Sequence, residues 1–245
     1  MVQLKGDDKA RYVSSMFDGI SGRYDLMNTL MTGGMHHLWR WRTTAVAGRA
    51  GSGEALDIAT GTGDMAWELA DRPSVSRVVG LDFAPRMLAR ARAKTRRHVG
   101  EAPRVHWVRG DALNLPFSDG RFRSITCGFG LRNFSDLEAG LREMARVAAP
   151  GGRVIILDIL PVTGSDGLSR LFQWYFRRAV PWMGSLIGGS REAYTYLPDS
   201  VQHYVTAEEL VELMERVGLR GVEFRKMGLG TVAIHAGEKP VREAE

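Results

Sequence analysis

The chain reads as an α/β protein built on one open, doubly wound, mostly parallel sheet of about seven strands that ends in an antiparallel hairpin. Three observations predict it. From residue 53 onward, short apolar runs alternate with segments of helical periodicity. The run 153–160, RVIILDIL, is almost continuously apolar, as a strand buried on both faces must be. The last two runs, 222–227 and 231–237, are separated only by Gly228-Leu229-Gly230. Three residues cannot carry a parallel crossover, so these runs pair antiparallel or lie apart.

The elements follow in order. EALDIAT (53–59) is a strand ended by glycines, and DMAWELADR (64–72) is a helix with Met65, Ala66, Leu69 and Ala70 on one face. RVVGLDF (77–83) is the second strand. The helix 84–98 sets Met87, Leu88, Ala91 and Thr95 opposite a row of arginines. RVHWVRGD (104–111) and RSITCGFG (123–130) are the third and fourth strands. Leu137, Leu141, Met144, Ala145 and Ala148 repeat with helical spacing until Pro150-Gly151-Gly152 stops them. Thr206 and Glu209 form a capping box for a helix faced by Leu210, Leu213, Met214 and Val217 and closed by Gly218. The first ten residues and the last eight, EKPVREAE, read as frayed. With no repeat and no linker, residues 1–245 form a single domain. It divides into an N-terminal helical cap (about 12–48), a Rossmann-like core (about 53–160), an aromatic helical insertion (about 165–200) and a C-terminal helix and hairpin (about 206–238).

Composition excludes several classes. At 245 residues, 44% hydrophobic and 25% charged, the chain is neither low-complexity nor a disulfide scaffold. Its single cysteine, Cys127, fits a reducing compartment and a buried core position, and the polar opening MVQLKGDDKARY is no signal peptide. The expected location is therefore the cytoplasm. The segment 168–189 is the best candidate for a membrane span. Its large apolar residues contribute roughly −0.3 to −0.6 kcal/mol each, but Arg170, Arg177 and Arg178 each cost roughly 2.5 to 3.5 kcal/mol near the bilayer centre. The arginines win, and no span is expected. The formal charge is +5, carried by 28 Arg and 5 Lys. Such an excess speaks of nucleic acid, of an anionic membrane surface, or of composition alone.

The informative junction is Leu56-Asp57-Ile58-Ala59-Thr60-Gly61-Thr62-Gly63-Asp64, between a strand and a helix. Gly61 and Gly63 permit positive φ and close approach of a ligand to the backbone. The helix behind them offers free N–H groups. The spacing also meets a dinucleotide fingerprint, with Asp82 at the right distance. Three features favour S-adenosylmethionine instead. Asp57, next to the turn, suits a ligand cation and repels a pyrophosphate. Gly110-Asp111-Ala112 puts a further carboxylate at the same sheet edge. The chain also ends in a hairpin, with no second nucleotide-binding half. The ammonium, ribose diol and adenine amine of S-adenosylmethionine suit Asp57, Asp82 and Asp111 in that order. Phe83 follows Asp82 at the strand end and joins this set. The six histidines and Cys127 show no metal-ligand spacing, so no metal is expected.

DIATGTGD, GLDFAPRML, GDALNLPF and the terminal hairpin together resemble a class I methyltransferase. MFDGISGRYDLMNTLMTGGMHHLWRWR (16–42) and FGLRNFSD (129–136) resemble signature segments of the ubiquinone/menaquinone biosynthesis C-methyltransferase family. AYTYLPDSV (193–201) resembles its menaquinone branch. The resemblance covers roughly residues 12–238. It implies methyl transfer from S-adenosylmethionine to a ring carbon of a prenylated naphthoquinol, a demethylmenaquinol, with Thr62, Asp82, Asp111 and Ala112 as cofactor contacts. The position before Phe129 is often Ser in that family and is Gly128 here, so only its backbone can touch the cofactor.

A quinol carbon becomes nucleophilic once a hydroxyl loses its proton, so the enzyme needs oxyanion stabilisation, a proton acceptor and positioning. Arg132, always cationic and with forked donors, suits the oxyanion. Asn133 suits the second oxygen, and Tyr24 closes over the ring. For the base, His36, Asp158 and a water are the candidates. The aromatic tract 168–187 reads as helix core, as a groove for the prenyl tail, or as a membrane-facing helix with Arg177 and Arg178 at headgroup level. The last reading puts the chain at the inner face of the membrane; a homodimer is left open. No Asn/Asp-Pro-Pro-aromatic tetrad, no cysteine after proline and no aromatic RNA-binding motif is present, which argues against a nucleic-acid substrate. Another small-molecule methyltransferase, one acting on a benzoquinol included, and a non-catalytic lipid carrier are the remaining rivals.

Overall fold

The computed structural model describes residues 6–95, 104–162, 164 and 167–241. Seven strands, β1 (Gly53–Ile58), β2 (Val75–Asp82), β3 (Val105–Arg109), β4 (Phe122–Gly128), β5 (Ala148–Ile159), β6 (Arg220–Met227) and β7 (Val232–Glu238), form one sheet in the order β3-β2-β1-β4-β5-β7-β6. Strands β1 to β5 run parallel. The last two pair antiparallel, and β7 inserts between β5 and β6, antiparallel to both.

Alternation along each strand divides the core. Leu56, Ile58, Ile125, Val154 and Ile156 pack with Leu141 and Met144 of α6 (Leu137–Val147) and Leu210 and Met214 of α10 (Ala207–Arg216). Cys127 belongs to this layer, and its burial pushes the thiol pKa well up. On the opposite face Ala55, Val78, Ile155, Leu157 and Ile234 meet Met65 and Leu69 of α4 (Asp64–Ala70) and Trp39 and Ala47 of α3 (Met35–Ala47). Helix α3 is thus part of the sheet's covering layer. The helices α1 (Gly6–Ile20) and α2 (Tyr24–Thr32) line the cavities at the carboxyl ends of the strands, and the first turns of α3 reach the larger of them through Met35, His36, Trp39 and Arg40.

Local chemistry sets the boundaries. Asp136 caps α6 by accepting from Ala139 N at 2.9 Å, and both bonds of the Thr206–Glu209 capping box are present. The helix α5 (Pro85–Thr95) keeps Arg86, Arg90 and Arg92 exposed, and residues 96–98 of the expected helix lie outside the described residues. Two expectations need correction. Residues 6–10 are already helical, and Glu238 is still paired with Arg153, so the frayed stretches do not include these positions; residues 1–5 and 242–245 lie outside the described residues. Pro150-Gly151-Gly152 does not merely stop α6. Strand β5 begins at Ala148, and the register slips between Phe122 and Ser124. At Gly152 a Cβ would press on the carbonyls of Ala149, Phe122 and Arg123 within 3.0 Å, so this bulge demands glycine.

The aromatic insertion is a nearly continuous helical run. It comprises α7 (Gly167–Trp174), a π segment (Tyr175–Ala179), α8 (Val180–Met183) and a second π segment (Gly184–Gly188), followed by α9 (Arg191–Gln202). Ile20, Met27, Val180, Ala193 and Tyr194 form a small separate core that ties this run to α1 and α2. Gly184 and Gly188 lie against the Tyr194 ring, where any Cβ would collide. No helix among the described residues is long and apolar enough to cross a membrane.

Candidate active site

The turn after β1 is built around two carboxylates. Asp57 is 1% exposed and accepts from Thr60 Oγ1 at 2.5 Å and Thr126 Oγ1 at 2.7 Å. Burial pushes its pKa up to about 7, against the pull of those two hydroxyls. Asp82, at the end of β2, accepts from Gly61 N at 2.7 Å and Ala84 N at 2.8 Å, and burial raises its pKa to about 6. The glycine turn's own N–H is therefore spent on Asp82. A pyrophosphate would find that donor taken and two carboxylates facing it, which removes the dinucleotide reading.

Two adjoining cavities open at the carboxyl edge of the sheet. The smaller, about 120 Å³, is lined by Asp82, Phe83, Met87, Asp111, Ala112 and Phe134. Among the described residues its wall carries two carboxylates and no basic side chain. Asp111 holds its loop by accepting from Leu113 N at 2.9 Å. The larger cavity, about 420 Å³, joins the smaller one at Ala59, Gly61, Gly128, Phe129, Tyr24 and Asn133. Ala59 and Phe129 hold φ of 53° and 58°, a left-handed conformation that non-glycine residues adopt only where the surroundings impose it.

Of the residues singled out in the sequence, Asp57, Gly61, Thr62, Gly128, Arg132, Asn133, Tyr24 and His36 line the larger cavity, and Asp82, Phe83, Asp111 and Ala112 the smaller. Gly63 lines neither. Its φ is +86°, and a Cβ would meet the Trp107 ring at 2.4 Å, so packing and turn geometry account for it. At Gly128 a Cβ would press on the end of the Met65 side chain, at 2.5 Å from its Cε, so the large Met65 fills the space beside this glycine.

The candidate catalytic residues are tied together in ways the sequence did not show. Arg132 is 9% exposed, and its Nη1 donates to Asp158 Oδ1 at 2.6 Å and to the Phe129 carbonyl at 2.5 Å. Its Nε and Nη2 have no hydrogen-bond partner among the described residues. Asp158 lines neither cavity; it also accepts from Arg132 N and Ile159 N. The suggestion that Asp158 is the base is therefore withdrawn, because its oxygens lie behind Arg132 and hold it. Asn133 Oδ1 accepts from Tyr196 OH at 3.2 Å, bringing in a cavity residue from the 193–201 segment that had not been singled out as a site residue. Burial pushes the Tyr24 hydroxyl pKa up.

His36 is defined by its neighbours. Thr32 Oγ1 donates to the Asn28 carbonyl at 2.7 Å, so its lone pair must accept from His36 Nδ1, 2.8 Å away. The acceptor nitrogen of His36 is then Nε2. Burial, followed by the charge of Arg40, lowers its pKa to about 4, so the ring is neutral at pH 7 and a weak base.

A glycine turn flanked by carboxylates, beside a mixed apolar and polar cavity, agrees with what comparison with known proteins finds. The model of the ubiE/COQ5 methyltransferase family matches residues 4–239. The chain belongs to that family. It is 43% identical to the demethylmenaquinone methyltransferase of Thermus thermophilus over 226 residues, covering 92% of this chain and 100% of that one. It is 44% identical to the demethylmenaquinone methyltransferase of Roseiflexus castenholzii, covering 95% of each. Among solved structures, a SAM-dependent methyltransferase of Thermotoga maritima, a possible histamine N-methyltransferase, superposes with a TM-score of 0.61 at 18% identity, covering 92% of this chain and 98% of that one. The [4+2]-cyclase SpnF reaches the same TM-score of 0.61 at 18% identity over 82% of this chain and 81% of its own, so the fold alone does not fix the reaction.

Membership of the ubiE/COQ5 family makes the chain an S-adenosylmethionine-dependent methyltransferase. The residues present fit that cofactor. The smaller cavity offers carboxylates to a neutral, diol- and amine-bearing adenosine, and the buried Asp57 offers a countercharge to an ammonium.

Proposed function

We propose that the chain methylates a ring carbon of a prenylated demethylmenaquinol, giving menaquinol and S-adenosylhomocysteine. The observation that carries this reading is the two-sided larger cavity. One side presents Asp57, Thr62, Arg132 and Asn133; the other presents Met16, Met31, Phe172, Tyr175, Phe176 and Leu197. A polar, redox-active ring on a polyisoprenoid tail has that same division. The demethylmenaquinone methyltransferase names of its relatives, at over 40% identity, agree.

Bound against Asp57 and Asp82, S-adenosylmethionine supplies an electrophilic methyl group. The protein's part is positioning and charge. Arg132, fixed by Asp158, presents its unpartnered Nη2 to the quinol oxygen as that oxygen becomes anionic. Asn133, oriented by Tyr196, keeps its amide N–H group for the second oxygen. Tyr24, half-buried between the two cavities, closes over the ring and excludes water. His36 Nε2 accepts a hydrogen bond from the quinol hydroxyl and orients it; with His36 a weak base, the one proton released per methyl transfer leaves to water, the remaining candidate acceptor.

The same reading puts the chain against an anionic membrane surface on its cytoplasmic side. Leu171, Trp174, Trp182, Leu186 and Leu229 are exposed around the apolar end of the larger cavity, next to the exposed Arg170, Arg177 and Arg178. Co-sedimentation with anionic vesicles that weakens with salt is the expected result; equal binding to neutral vesicles would remove this part.

The function is tested by extracting quinones from cells lacking the protein. Demethylated menaquinone should accumulate and disappear when the gene is restored. An unchanged menaquinone pool, or accumulation of a benzoquinone precursor instead, would overturn the assignment.

A further inference from the structure

Arg40, on α3, was not among the residues picked out from the sequence. It lines the larger cavity beside Asp57, Gly61, Thr62, Asp64 and Met65 and is only 8% exposed. Its Nε donates to Glu68 Oε1 at 3.2 Å, while Nη2 lies 3.0 Å from His37 Nδ1 and 3.3 Å from Asp64 Oδ2. Nη1 has no hydrogen-bond partner among the described residues. A guanidinium so deeply buried, fixed on two sides and open on the third, is a preorganised donor aimed at something absent from the protein itself.

The amino-acid end of S-adenosylmethionine is a zwitterion, and the glycine-turn end of the cavity is mostly acidic. Asp57 answers the ammonium. The carboxylate has no such partner there: Asp57 and Asp64 both repel it, and Asp82 adds to this from the adjoining cavity. Three basic side chains line the larger cavity. Arg132 spends Nη1 on Asp158 and the Phe129 carbonyl and is taken up by the quinol oxygen in the proposed reaction, and His36 is neutral at pH 7. Lys94 lies outside the cavity lining and is bound to Asp25, Asp64 and Thr62. Arg40 is the cation left to meet the carboxylate.

We propose that Arg40 binds the carboxylate of the cofactor's amino-acid end, forming with Asp57 a two-charge clamp that reads both halves of the zwitterion. The ion pairs to Asp64 and Glu68 hold the fork in place before the ligand arrives, which lowers the ordering cost of binding. The assignment rests on the methyl donor and is independent of which quinol accepts the methyl.

The test compares three ligands by calorimetry: S-adenosylhomocysteine, its decarboxylated amine analogue, and 5′-methylthioadenosine, which lacks both charged groups. The native chain should bind S-adenosylhomocysteine about 10- to 100-fold tighter than the decarboxylated analogue, the range for a charge-assisted pair out of water. In Arg40→Met that gap should close to within about threefold, with 5′-methylthioadenosine held as well as by the native chain. Arg40→Lys keeps the charge against Asp64 and Glu68 and should preserve part of the gap. It decides the matter if Arg40→Met does not fold. A native chain indifferent to the carboxylate, a gap that survives in Arg40→Met, or an Arg40→Lys gap equal to the native one when the Lys side chain reaches only Asp64 and Glu68 would overturn the proposal. Equal weakening of all three ligands would also overturn it, because that marks a merely structural residue.

Discussion

The two walls of the larger cavity are built differently. The sheet wall consists of strand ends whose polar groups are held by partners: Asp57 by two threonine hydroxyls, Asp82 by two backbone N–H groups, and Arg132 by Asp158 through Nη1. Even its backbone is held in disfavoured conformations at Ala59 and Phe129. The helical wall, from α1, α2 and the 167–188 run, has a small core of its own and scattered polar ties. Tyr175 OH donates to the Met31 carbonyl at 2.9 Å, and Arg23 Nη1 to the Ile187 carbonyl at 2.9 Å. Two π segments interrupt its hydrogen-bond ladder. The difference separates tasks. The oxyanion donor and the cofactor carboxylates sit on the more constrained wall, and the long, apolar substrate meets the wall with fewer constraints.

Substitutions can break this comparison. The largest effect is expected on the sheet wall, where Arg132→Ala should lower kcat by about 10²- to 10³-fold, the usual cost of losing an oxyanion donor. Its affinity for S-adenosylhomocysteine, read by calorimetry, should stay near native. Next comes Asp57→Asn, which should weaken S-adenosylhomocysteine by about 10- to 100-fold through loss of a buried countercharge. It should also raise the thermal midpoint at pH 8. The folded pKa of Asp57, about 7, lies above the ordinary carboxylate value, so the protein is favoured while Asp57 is protonated and loses that advantage as pH rises through about 7. Asparagine removes the penalty, and the gain should vanish in a melt at pH 4.

The same titration predicts that the native chain binds S-adenosylhomocysteine more weakly as pH falls from 8 to 6, with proton release on binding measurable in buffers of different ionisation enthalpy. On the helical wall the effects should be smaller. Phe172→Ala with Phe176→Ala should raise KM for a long-tailed quinol by about 3- to 10-fold, the scale of a partly buried apolar side chain. Turnover of a tail-less naphthoquinol should be untouched. Smallest is His36→Asn, which should cost kcat less than about tenfold, since a group with pKa about 4 is a weak base at neutral pH.

The sheet wall was largely legible and the rest was not, for physical reasons. Strand-turn-helix chemistry is local, so Asp57, Gly61 and Asp82 declared themselves within one βαβ unit. Gly63 shared that pattern, but its cause is the Trp107 ring, far along the chain. The pairing of Arg132 with Asp158 spans 26 residues and leaves no periodicity to read. Arg40 was hidden among 28 arginines. Part of the arginine excess is structural. Arg123 donates to the carbonyls of Ala50 and Pro150, and Arg146 binds Glu143, Asp119 and two carbonyls. Insertion of β7 between β5 and β6 depends on long-range pairing that a hairpin signal leaves open.

The most direct measurement supplies the purified chain with demethylmenaquinol and S-adenosylmethionine carrying a ¹³C-labelled methyl group, then locates the label by NMR. The account predicts the label on the unsubstituted quinone-ring carbon, with loss of transfer in Arg132→Ala. Label on an oxygen or nitrogen, or on a benzoquinol offered in competition and not on the naphthoquinol, would contradict it.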